Sequence, residues 1–402
     1  MGLDGFLSFV KKKYPSVIKT EHISKFAFDT IFLDISSYIY KYICIFGNSN
    51  PQWITSIMQM FLTLKGNKVN VIPVFDGKPP EAKQGEINER KEKRNKLKQK
   101  MLYIQECINT LTVGEKLNEE ERKFVFETLK KQREKEEPTK LKRLLKVSNK
   151  SDDVIIKNEF GEEDYVFTSE DINDLQAFND NIQKQMVYIG DKDTTVLKDL
   201  LNILGIPFVV APEEAEAFCC SMLKQGIGKG VISCDTDCFA HGAQIVITTF
   251  EALTGDIVMI SLEEMLNEME LNHTEFVDFG ILIGCDYNVK NKLPKVGPVK
   301  ALELIKKYKS IDNIEGYDIS KLNHQDIRKL FNTEYKKIKK IAHKKIDEDA
   351  LYEFIEEHNL RIGRNKIEGA LKIINEKPKI IFQSSDEENE ENEEDEDDEE
   401  TN

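Results

Sequence analysis

The chain has 402 residues, an apolar fraction of 40% and a formal charge of -15. This length allows two or three domains with a packed core, and the lack of any apolar run near 18 residues excludes a membrane-spanning helix. The acidic excess is local, because residues 384–402 hold thirteen Asp and Glu and no Lys or Arg. Without them the formal charge is -2. The negative total therefore does not exclude binding of a polyanion by the rest of the chain.

The seven cysteines are odd in number and form no Cys-x-x-Cys pair. We therefore expect reduced thiols. The first residues contain no hydrophobic leader segment, which favours an intracellular protein.

Three apolar segments each carry aspartate and are predicted to be strands of one sheet. The first is the β-branched and aromatic run Phe26–Tyr42, which contains Asp34. The second, VNVIPVFDG, delivers Asp76, and the third, GKGVISCDTDCFAHG, ends in Asp235 and Asp237. Helical stretches between these segments predict an α/β fold with a central, mostly parallel sheet flanked by helices. The acids should then lie together beyond the carboxyl ends of the strands.

Well over a hundred residues of different character follow Asp76, too many for an ordinary crossover. Their first part, residues 78–100, has nine Lys and Arg against four Glu and is predicted to be a helix with a basic face. Their last part, about 148–185, is rich in Asp, Asn and Glu and is predicted to be a loop or partly disordered. We therefore expect a large insertion between two halves of the sheet.

The C-terminal third is predicted to be helical. An amphipathic stretch at 263–279 leads to a helix that ends near Cys285, and turn residues at 294–298 separate it from a helix beginning near Val299. This pattern indicates a helix-turn-helix unit. Lysine-rich helices are expected from there to about Ile374, before the acidic tail.

Asp235 and Asp237 are two residues apart on a predicted strand, so both carboxylates start on one face and can reach one cation. Mg²⁺ prefers carboxylate oxygens, and two such ions about 4 Å apart can clamp the attacking and leaving oxygens of a phosphodiester. Such a site needs carboxylates from several elements. The available acids are Asp34, Asp76, Glu214, Glu216, Asp235, Asp237 and Asp286.

Each part of this set also has a simpler explanation. Pro212 suits the first turn of a helix, which would place Glu213 and Glu214 where the helix dipole favours acids. Asp34 and Asp76 each fit an ordinary cap at a strand end. The VISCDTDCF segment also fits the aspartyl nucleophile of a haloacid-dehalogenase-type phosphatase, or a plain turn. Taken singly, these features leave the function open.

Six blocks, in order and spacing, resemble the flap endonuclease and XPG-type family of structure-specific 5′ nucleases. They are MGLDGF, LDISSYIY, VFDGKPPEAKQGEINER, LGIPFVVAPEEAEA, SCDTDCFAHG and LIGCDYNVKNKLPKVGPVKALELI. Together they cover about residues 1–100 and 190–315. The resemblance implies a PIN-like 5′-nuclease core that hydrolyses phosphodiesters at 5′ flaps or related branched DNA in replication, repair or recombination.

The resemblance also implies roles for individual residues. It implies that the seven acids surround two Mg²⁺ ions, with Mn²⁺ as a substitute, and that Glu213 is not a ligand. It implies that Lys83 and Arg90 contact the scissile phosphate and stabilise the charge that develops there. Gly2 matches the family's glycine near the active site, assuming that Met1 is removed.

The family resemblance also implies DNA-binding roles for two further segments. The basic insertion resembles the helical arch through which a 5′ single strand passes. The segment from Gly284 to Ala301 resembles the helix-two-turn-helix, where backbone carbonyls and a K⁺ ion hold duplex DNA. Its expected DNA contacts are Lys295, Gly297 and Lys300, and Lys295 stands where the family usually has the first glycine of a Gly-x-Gly turn.

The expected partner is double-stranded DNA with a 5′ single-stranded flap or branch, bound by a monomer in the nucleus or at a site of viral DNA replication. Sliding-clamp docking through the tail is expected to be weak or absent, because KIIFQSSDEENEE has Gln383 but no following pair of phenylalanines. The expected regions are 1–100 and 190–280 for the nuclease core, 101–189 for the arch continuation and acidic insertion, 281–375 for the helix-two-turn-helix and helical DNA-binding region, and 384–402 for the disordered tail.

Two rival functions stay open from the sequence. A dehalogenase-type phosphatase would use Asp235 as nucleophile and Asp237 as acid, but it leaves Asp34, Asp76 and Asp286 unexplained. A non-catalytic scaffold that binds DNA junctions would not need all seven acids.

Overall fold

The structure, a computed structural model, describes residues 2–47, 50–136, 166–186, 189–339 and 342–375. A seven-stranded mixed sheet forms its centre, in the order β1-β7-β6-β5-β2-β3-β4. The strands from β6 to β4 pair in parallel, while β7 pairs antiparallel with β6 and β1. The predicted fold class is confirmed. The strands are β1 (Ile18–His22), β2 (Thr30–Asp34), β3 (Asn70–Phe75), β4 (Val209–Val210), β5 (Gly230–Ile232), β6 (Ile245–Phe250) and β7 (Asp256–Ser261).

Helices cover both faces of this sheet. Within the described ranges they are α1 (Phe6–Lys13), α2 (Ile35–Phe46), α3 (Gln52–Gly66), α4 (Gln84–Thr112), α5 (Glu119–Glu136), α6 (Ser169–Gln185), α7 (Asp191–Ile203), α8 (Ala215–Lys224), α9 (Asp237–Ala240), α10 (Leu262–Met269), α11 (His273–Ile283), α12 (Pro298–Tyr308), α13 (His324–Phe331), α14 (Glu348–Glu357) and α15 (Arg364–Asn375). None of these described helices is long and apolar enough to cross a bilayer.

The alternation of side chains along β2 explains the two layers of core. Phe32 is buried in a cluster with residues of α1 and α8 to α13, whereas Ile31 and Leu33 are buried in a second cluster with α2, α3, α7, α14 and α15. Successive residues of a strand point to opposite faces, so both faces of β2 need apolar cover. This burial from both sides explains why the strand segments appear as continuous apolar runs.

The first predicted strand is too long. The strand ends at Asp34, and the residues after it form α2, because Asp34 caps that helix by accepting a hydrogen bond from the Ser37 N–H at 3.2 Å. Tyr38 and Ile39 are then buried at helical spacing. A short apolar run therefore contained both a strand and the start of a helix.

The insertion is a helical bundle with its own core. Helices α4, α5 and α6 bury eight residues against one another: Ile104, Cys107, Ile108, Leu117, Val125, Leu129, Leu175 and Ile182. The basic helix predicted at 78–100 is the first part of α4.

The prediction of a loop or disorder at 148–185 is wrong for its last part, where α6 is a helix. Thr168 and Asp171 form a capping box, and Asp171 and Asp174 bind the buried Arg133 at 2.7 Å and 2.6 Å. The acids that suggested a loop therefore serve as a helix cap and as salt-bridge partners. Residues 148–165 lie outside the described residues, as does the tail at 384–402.

The C-terminal region contains the predicted helix-turn-helix unit as α11 and α12. The expectation of lysine-rich helices up to Ile374 is only partly right, since residues 332–339 and 342–347 contain no helix. Backbone hydrogen bonds from this segment run instead to α8 and to the end of α7, for example from Lys344 N–H to Gly205 O at 2.8 Å. All seven cysteines are free thiols.

Candidate active site

Seven acids lie together at the carboxyl edge of the sheet, where parallel pairing places the ends of β2, β3 and β5. All are buried except Asp76, and five of them line one cavity of about 530 Å³: Asp34, Asp76, Glu214, Glu216 and Asp235. The acids are close enough to repel one another. Asp34 is repelled by Asp76 and Asp235, Glu216 by Glu214, and Asp237 by Asp235 and Asp286. We call these seven side chains the acidic cluster.

Backbone and hydroxyl donors orient the two acids at the ends of β2 and β3. Asp34 Oδ2 accepts a hydrogen bond from Ser233 Oγ at 2.8 Å, and Asp76 Oδ1 accepts one from the Ala215 N–H at 2.9 Å. The second bond links Asp76 to the start of α8. Each carboxylate is therefore tied to an element that carries other members of the cluster.

Asp235 and Asp237 do not lie on a strand, so the expectation of one strand face is wrong. β5 ends at Ile232, and the Asp237 N–H donates to Asp235 Oδ1 at 2.9 Å as the chain turns into α9. This turn, rather than strand alternation, brings the pair together. Asp237 Oδ1 is buried, and none of the described residues forms a hydrogen bond with it.

The glutamate segment before α8 is also arranged differently from the prediction. The helix begins at Ala215, so Pro212 and Glu213 precede it and Glu214 is the N-cap. The Glu214 side chain makes no capping hydrogen bond. Its carboxylate instead contacts Lys83 and accepts a hydrogen bond from the Tyr287 hydroxyl at 2.6 Å. The simple capping explanation therefore fails for Glu214.

Lys83 occupies the middle of the acids, in the turn that leads into α4. Its ammonium contacts Glu214, and lies 3.5 Å from Glu216 Oε1 and 3.2 Å from Asp286 Oδ2. Burial would lower the pKa of Lys83, but Glu216, Glu214 and Asp286 outweigh it and hold that pKa above its ordinary value. Lys83 is thus a permanent cation that partly neutralises the acidic cluster.

Arg90 lies about two helical turns beyond Lys83. Its side chain is half exposed. Its guanidinium pairs with Glu86 and reaches Asp286 Oδ2 at 3.5 Å. Because Lys83 and Arg90 both contact Asp286, the start of α4 brings two positive charges to the acidic cluster.

Burial dominates the electrostatics of the acids. Burial, with repulsion by Asp76 and Asp235, raises the pKa of Asp34 to about 7. Burial likewise raises the pKa values of Glu216 and Asp237 well above those of ordinary carboxyls, with Lys83 opposing the shift in both. Such a cluster is costly unless protons or cations neutralise it.

The residues fit a hard divalent cation by the chemistry of the donors. Carboxylate oxygens are the ligands that Mg²⁺ prefers, and the buried Asp237 Oδ1 has no hydrogen-bond partner among the residues that the structure describes. In the described part of the chain, however, no three His, Cys, Asp or Glu side chains have the spacing of a ready metal site. Lys83 draws Glu214, Glu216 and Asp286 towards its own charge, which is one physical reason for that spacing. The ligand roles of the acids stay a prediction.

The N-terminal glycine approaches the site closely. Gly2 has a positive φ of 81°, and a side chain there would collide with Asp235 and Thr236. The Leu3 N–H donates to Thr236 Oγ1 at 2.8 Å, which fixes this segment beside Asp235. A larger residue at position 2 would therefore displace Asp235.

The helix-turn-helix residues lie away from the cavity. Lys295 adopts a φ of 61°, the left-handed conformation that glycine adopts easily, so the lysine accepts the backbone shape of the turn. A side chain at Gly297 would point into open space, with no other atom within 4 Å, and Lys300 is exposed on α12. Their DNA contacts stay a prediction.

Sequence reasoning missed two tyrosines at the site. Tyr287 binds Glu214, and the Tyr335 hydroxyl donates to Glu213 Oε2 at 2.7 Å. Tyr287 directly follows Asp286, so its place next to a predicted site residue could have indicated that it lies at the site. Nothing near Tyr335 in the sequence connects it with Glu213, since 122 positions separate them.

We expect the metal-free protein to lose stability as the pH rises from about 4 to about 7. The folded-state pKa of Asp34 is raised from 3.8 to about 7, so in this window the folded state binds more protons than the unfolded state. Denaturant unfolding in chelator at pH 5 and at pH 7.5 measures the difference. Asp34→Asn should reduce the change in unfolding free energy between these two pH values. An equal change in both proteins would contradict the prediction.

The fold and the acidic cluster define the class of protein: a hydrolase with an α/β core and an acidic centre suited to phosphodiester cleavage. Two family models agree with this, the XPG N-terminal domain over residues 1–97 and the XPG I-region over residues 205–286. These two matched regions support an XPG-type 5′ nuclease, a hydrolase that acts on phosphodiesters. Nucleases of this family depend on divalent metals.

Similar proteins include a probable RAD2-like endonuclease 369L of Invertebrate iridescent virus 6, 28% identical over 334 residues. That match covers 78% of this chain and 73% of the viral protein. Flap endonuclease 1 of Homo sapiens is 26% identical over 327 residues, which is 78% of this chain and 68% of the human protein.

Solved structures share the fold. The catalytic core of Rad2 in complex with DNA substrate has a TM-score of 0.58 at 17% identity, over 91% of this chain and 99% of that chain. Flap endonuclease-1 from Methanococcus jannaschii has a TM-score of 0.53 at 18% identity, over 90% and 97% of the two chains.

Proposed function

We propose that this chain is a Mg²⁺-dependent, structure-specific DNA nuclease that cuts phosphodiesters at 5′ flaps or junctions. The observation that carries the proposal is the acidic cluster, seven carboxylates brought to one edge of the sheet beneath a basic helix. Similarity to flap endonuclease 1 supports the reaction. The similar viral and animal proteins favour action in the nucleus or at a site of viral DNA replication.

The acidic cluster is proposed to hold two Mg²⁺ ions, with Mn²⁺ as a substitute. When bound, such ions would supply Lewis acidity for phosphodiester hydrolysis. The protein contributes fixed geometry: Ser233 and the Ala215 N–H orient Asp34 and Asp76, and Tyr287 orients Glu214.

Lys83 and Arg90 are proposed to contact the scissile phosphate. Lys83 keeps its proton because three carboxylates hold its pKa high, so it offers a constant positive charge to the phosphate. Arg90 presents a planar donor group at the half-exposed rim of the cavity. Both charges would stabilise the negative charge that develops during displacement.

Two further regions are proposed to hold the DNA. The basic face of α4 would follow the 5′ single strand, since Lys91, Lys93 and Arg94 lie on the same helix as Arg90. The α11–α12 unit would hold the duplex through its turn, with a K⁺ ion at the backbone carbonyls. We propose that the protein acts as a monomer without sliding-clamp docking through its tail.

The alternative functions explain less of the site. A dehalogenase-type phosphatase leaves Asp34, Asp76 and Asp286 without a role, although Asp34 and Asp286 interact electrostatically with Asp235 and Asp76 interacts with Asp34. A DNA-binding scaffold gives no reason for the cost of burying these carboxylates together.

A panel of labelled DNA substrates tests the proposal. We expect cleavage of 5′-flap, nicked, bubble or Holliday-junction DNA in Mg²⁺ and none in chelator. The same protein should not hydrolyse a small phosphomonoester. Absence of cleavage on every branched substrate, or cleavage that persists in chelator, would overturn the proposal.

A further inference from the structure

A lysine-rich surface segment lies outside the candidate active site. Residues 332–339 and 342–347, between α13 and α14, form two described stretches that we call the basic strap. Its exposed lysines are Lys336, Lys337, Lys339, Lys344 and Lys345. None of the ion pairs found within the described residues includes any of these five side chains.

The acids of the basic strap are already engaged. Glu334 interacts with Lys224, and Asp347 caps α14 by accepting a hydrogen bond from the Ala350 N–H at 3.1 Å. Among the described residues these lysines therefore have no acidic partner, although Lys337 Nζ donates a hydrogen bond to Gln225 O at 3.3 Å. The formal charge of the chain is -15. Such a concentration of positive charge favours a polyanionic ligand.

The basic strap is held in place at both ends. The Tyr335 N–H donates to Ser221 Oγ at 2.8 Å, and Gln225 Nε2 donates to Tyr335 O at 2.8 Å. At the other end the Lys344 N–H donates to Gly205 O at 2.8 Å, where any residue larger than glycine would collide with the strap. The lysines are thus displayed on a backbone ordered by its neighbours.

The strap starts at the wall of the candidate active site. The Tyr335 hydroxyl binds Glu213, which lines the same cavity as Asp34 and Asp76. From there the strap passes from α8 to the end of α7, the helices that flank the edge strand β4. The lysines of the two described stretches can therefore contact more than one phosphate of a nucleic acid backbone.

We propose that the basic strap binds the phosphodiester backbone of the nucleic acid substrate next to the active-site cavity. The identity of the ligand rests on the proposed nuclease function, whereas the charge and order of the strap do not. The lysines would add sequence-independent affinity, because each phosphate contact releases condensed counterions from the DNA. The competing explanation is that these lysines only keep the edge of the sheet soluble.

Salt-dependent DNA binding tests the proposal. Two strap variants, Lys336→Gln with Lys339→Gln and Lys344→Gln with Lys345→Gln, each remove two charges. The matched control removes two exposed lysines of α15, Lys366→Gln with Lys372→Gln. Binding of a labelled 5′-flap duplex is measured by fluorescence anisotropy in chelator, from 50 to about 300 mM KCl, with melting temperatures as a check on folding.

We expect each strap variant to bind DNA less tightly. The slope of log Kd against log salt concentration should decrease by about 1 to 2, because each lost phosphate contact lowers it by about 0.9. The control should match the wild-type slope. A loss seen only with a 20-nucleotide flap assigns the strap to the single strand, and an equal loss with nicked duplex assigns it to the duplex.

Three results separate the explanations. Wild-type slopes in both strap variants would overturn the proposal. Tighter DNA binding by the strap variants would also overturn it, and would instead indicate that the strap binds the acidic residues 384–402. If the protein cuts no branched DNA but the slopes still change, the proposed nuclease function fails while the strap keeps its role in DNA binding.

Discussion

Replacing Asp235 and Asp237 together by alanine is expected to abolish cleavage of a 5′-flap duplex in Mg²⁺ while DNA binding persists. Both carboxylates are buried in the acidic cluster, and Asp237 Oδ1 has no hydrogen-bond partner within the described ranges. A loss on the order of 10⁴-fold corresponds to about 5 to 6 kcal/mol of transition-state stabilisation. Single-turnover cleavage and anisotropy with the same substrate measure the two properties separately.

A matched variant controls for the change in charge. Glu263→Ala with Glu268→Ala removes two exposed acids from α10 and should leave cleavage at the wild-type rate. DNA binding by the double aspartate variant should be as tight as that of the wild type or tighter, because two negative charges near the phosphate are lost. Cleavage retained by the double aspartate variant would refute the assignment of these acids.

Glu216→Gln is expected to lower kcat by at least about 100-fold, whereas Glu213→Gln should lower it by less than about threefold. Glu216 is buried within the acidic cluster and lies 3.5 Å from Lys83 Nζ, so its charge belongs to the centre. Glu213 binds the Tyr335 hydroxyl, and the amide oxygen of glutamine can still accept that hydrogen bond. Steady-state cleavage of a flap substrate across Mg²⁺ concentrations measures both variants.

The pair tests whether neighbouring glutamates have different roles. A loss for Glu216→Gln that high Mg²⁺ partly restores would support a ligand role. Equal effects of the two substitutions would show that the division is wrong. Isothermal titration with Mg²⁺ in the absence of DNA gives a second readout, in which only Glu216→Gln should weaken binding.

The three strands β2, β3 and β5 were predictable because they are buried on both faces. Ile31, Phe32 and Leu33 all face core, so β2 stands out as a continuous apolar run that ends in Asp34. Strand limits were less predictable, since the residues after Asp34 are equally apolar and become helical only because Asp34 caps them. The helix at 169–185 was missed for the opposite reason, because its acids made a folded segment resemble a loop.

The convergence of the acids was predictable in outline, but their local geometry was not. Parallel strands place their carboxyl ends at one edge, so Asp34, Asp76 and Asp235 had to lie near one another. The pairing of Asp235 with Asp237 depends on the turn after β5, which strand alternation does not describe. Burial of the cluster, which raises the pKa of Asp34, also depends on helices distant in sequence.

The sequence by itself determined the fold class, the four strand-end aspartates and the basic insertion, because apolar runs, strand-end aspartates and lysine-rich stretches are local patterns. Only the tertiary structure decided which partner each carboxylate has. Lys83 among three acids, Tyr287 on Glu214 and Tyr335 on Glu213 are contacts between residues 73 to 203 positions apart. Such contacts follow from the packing of whole elements, which no local pattern encodes.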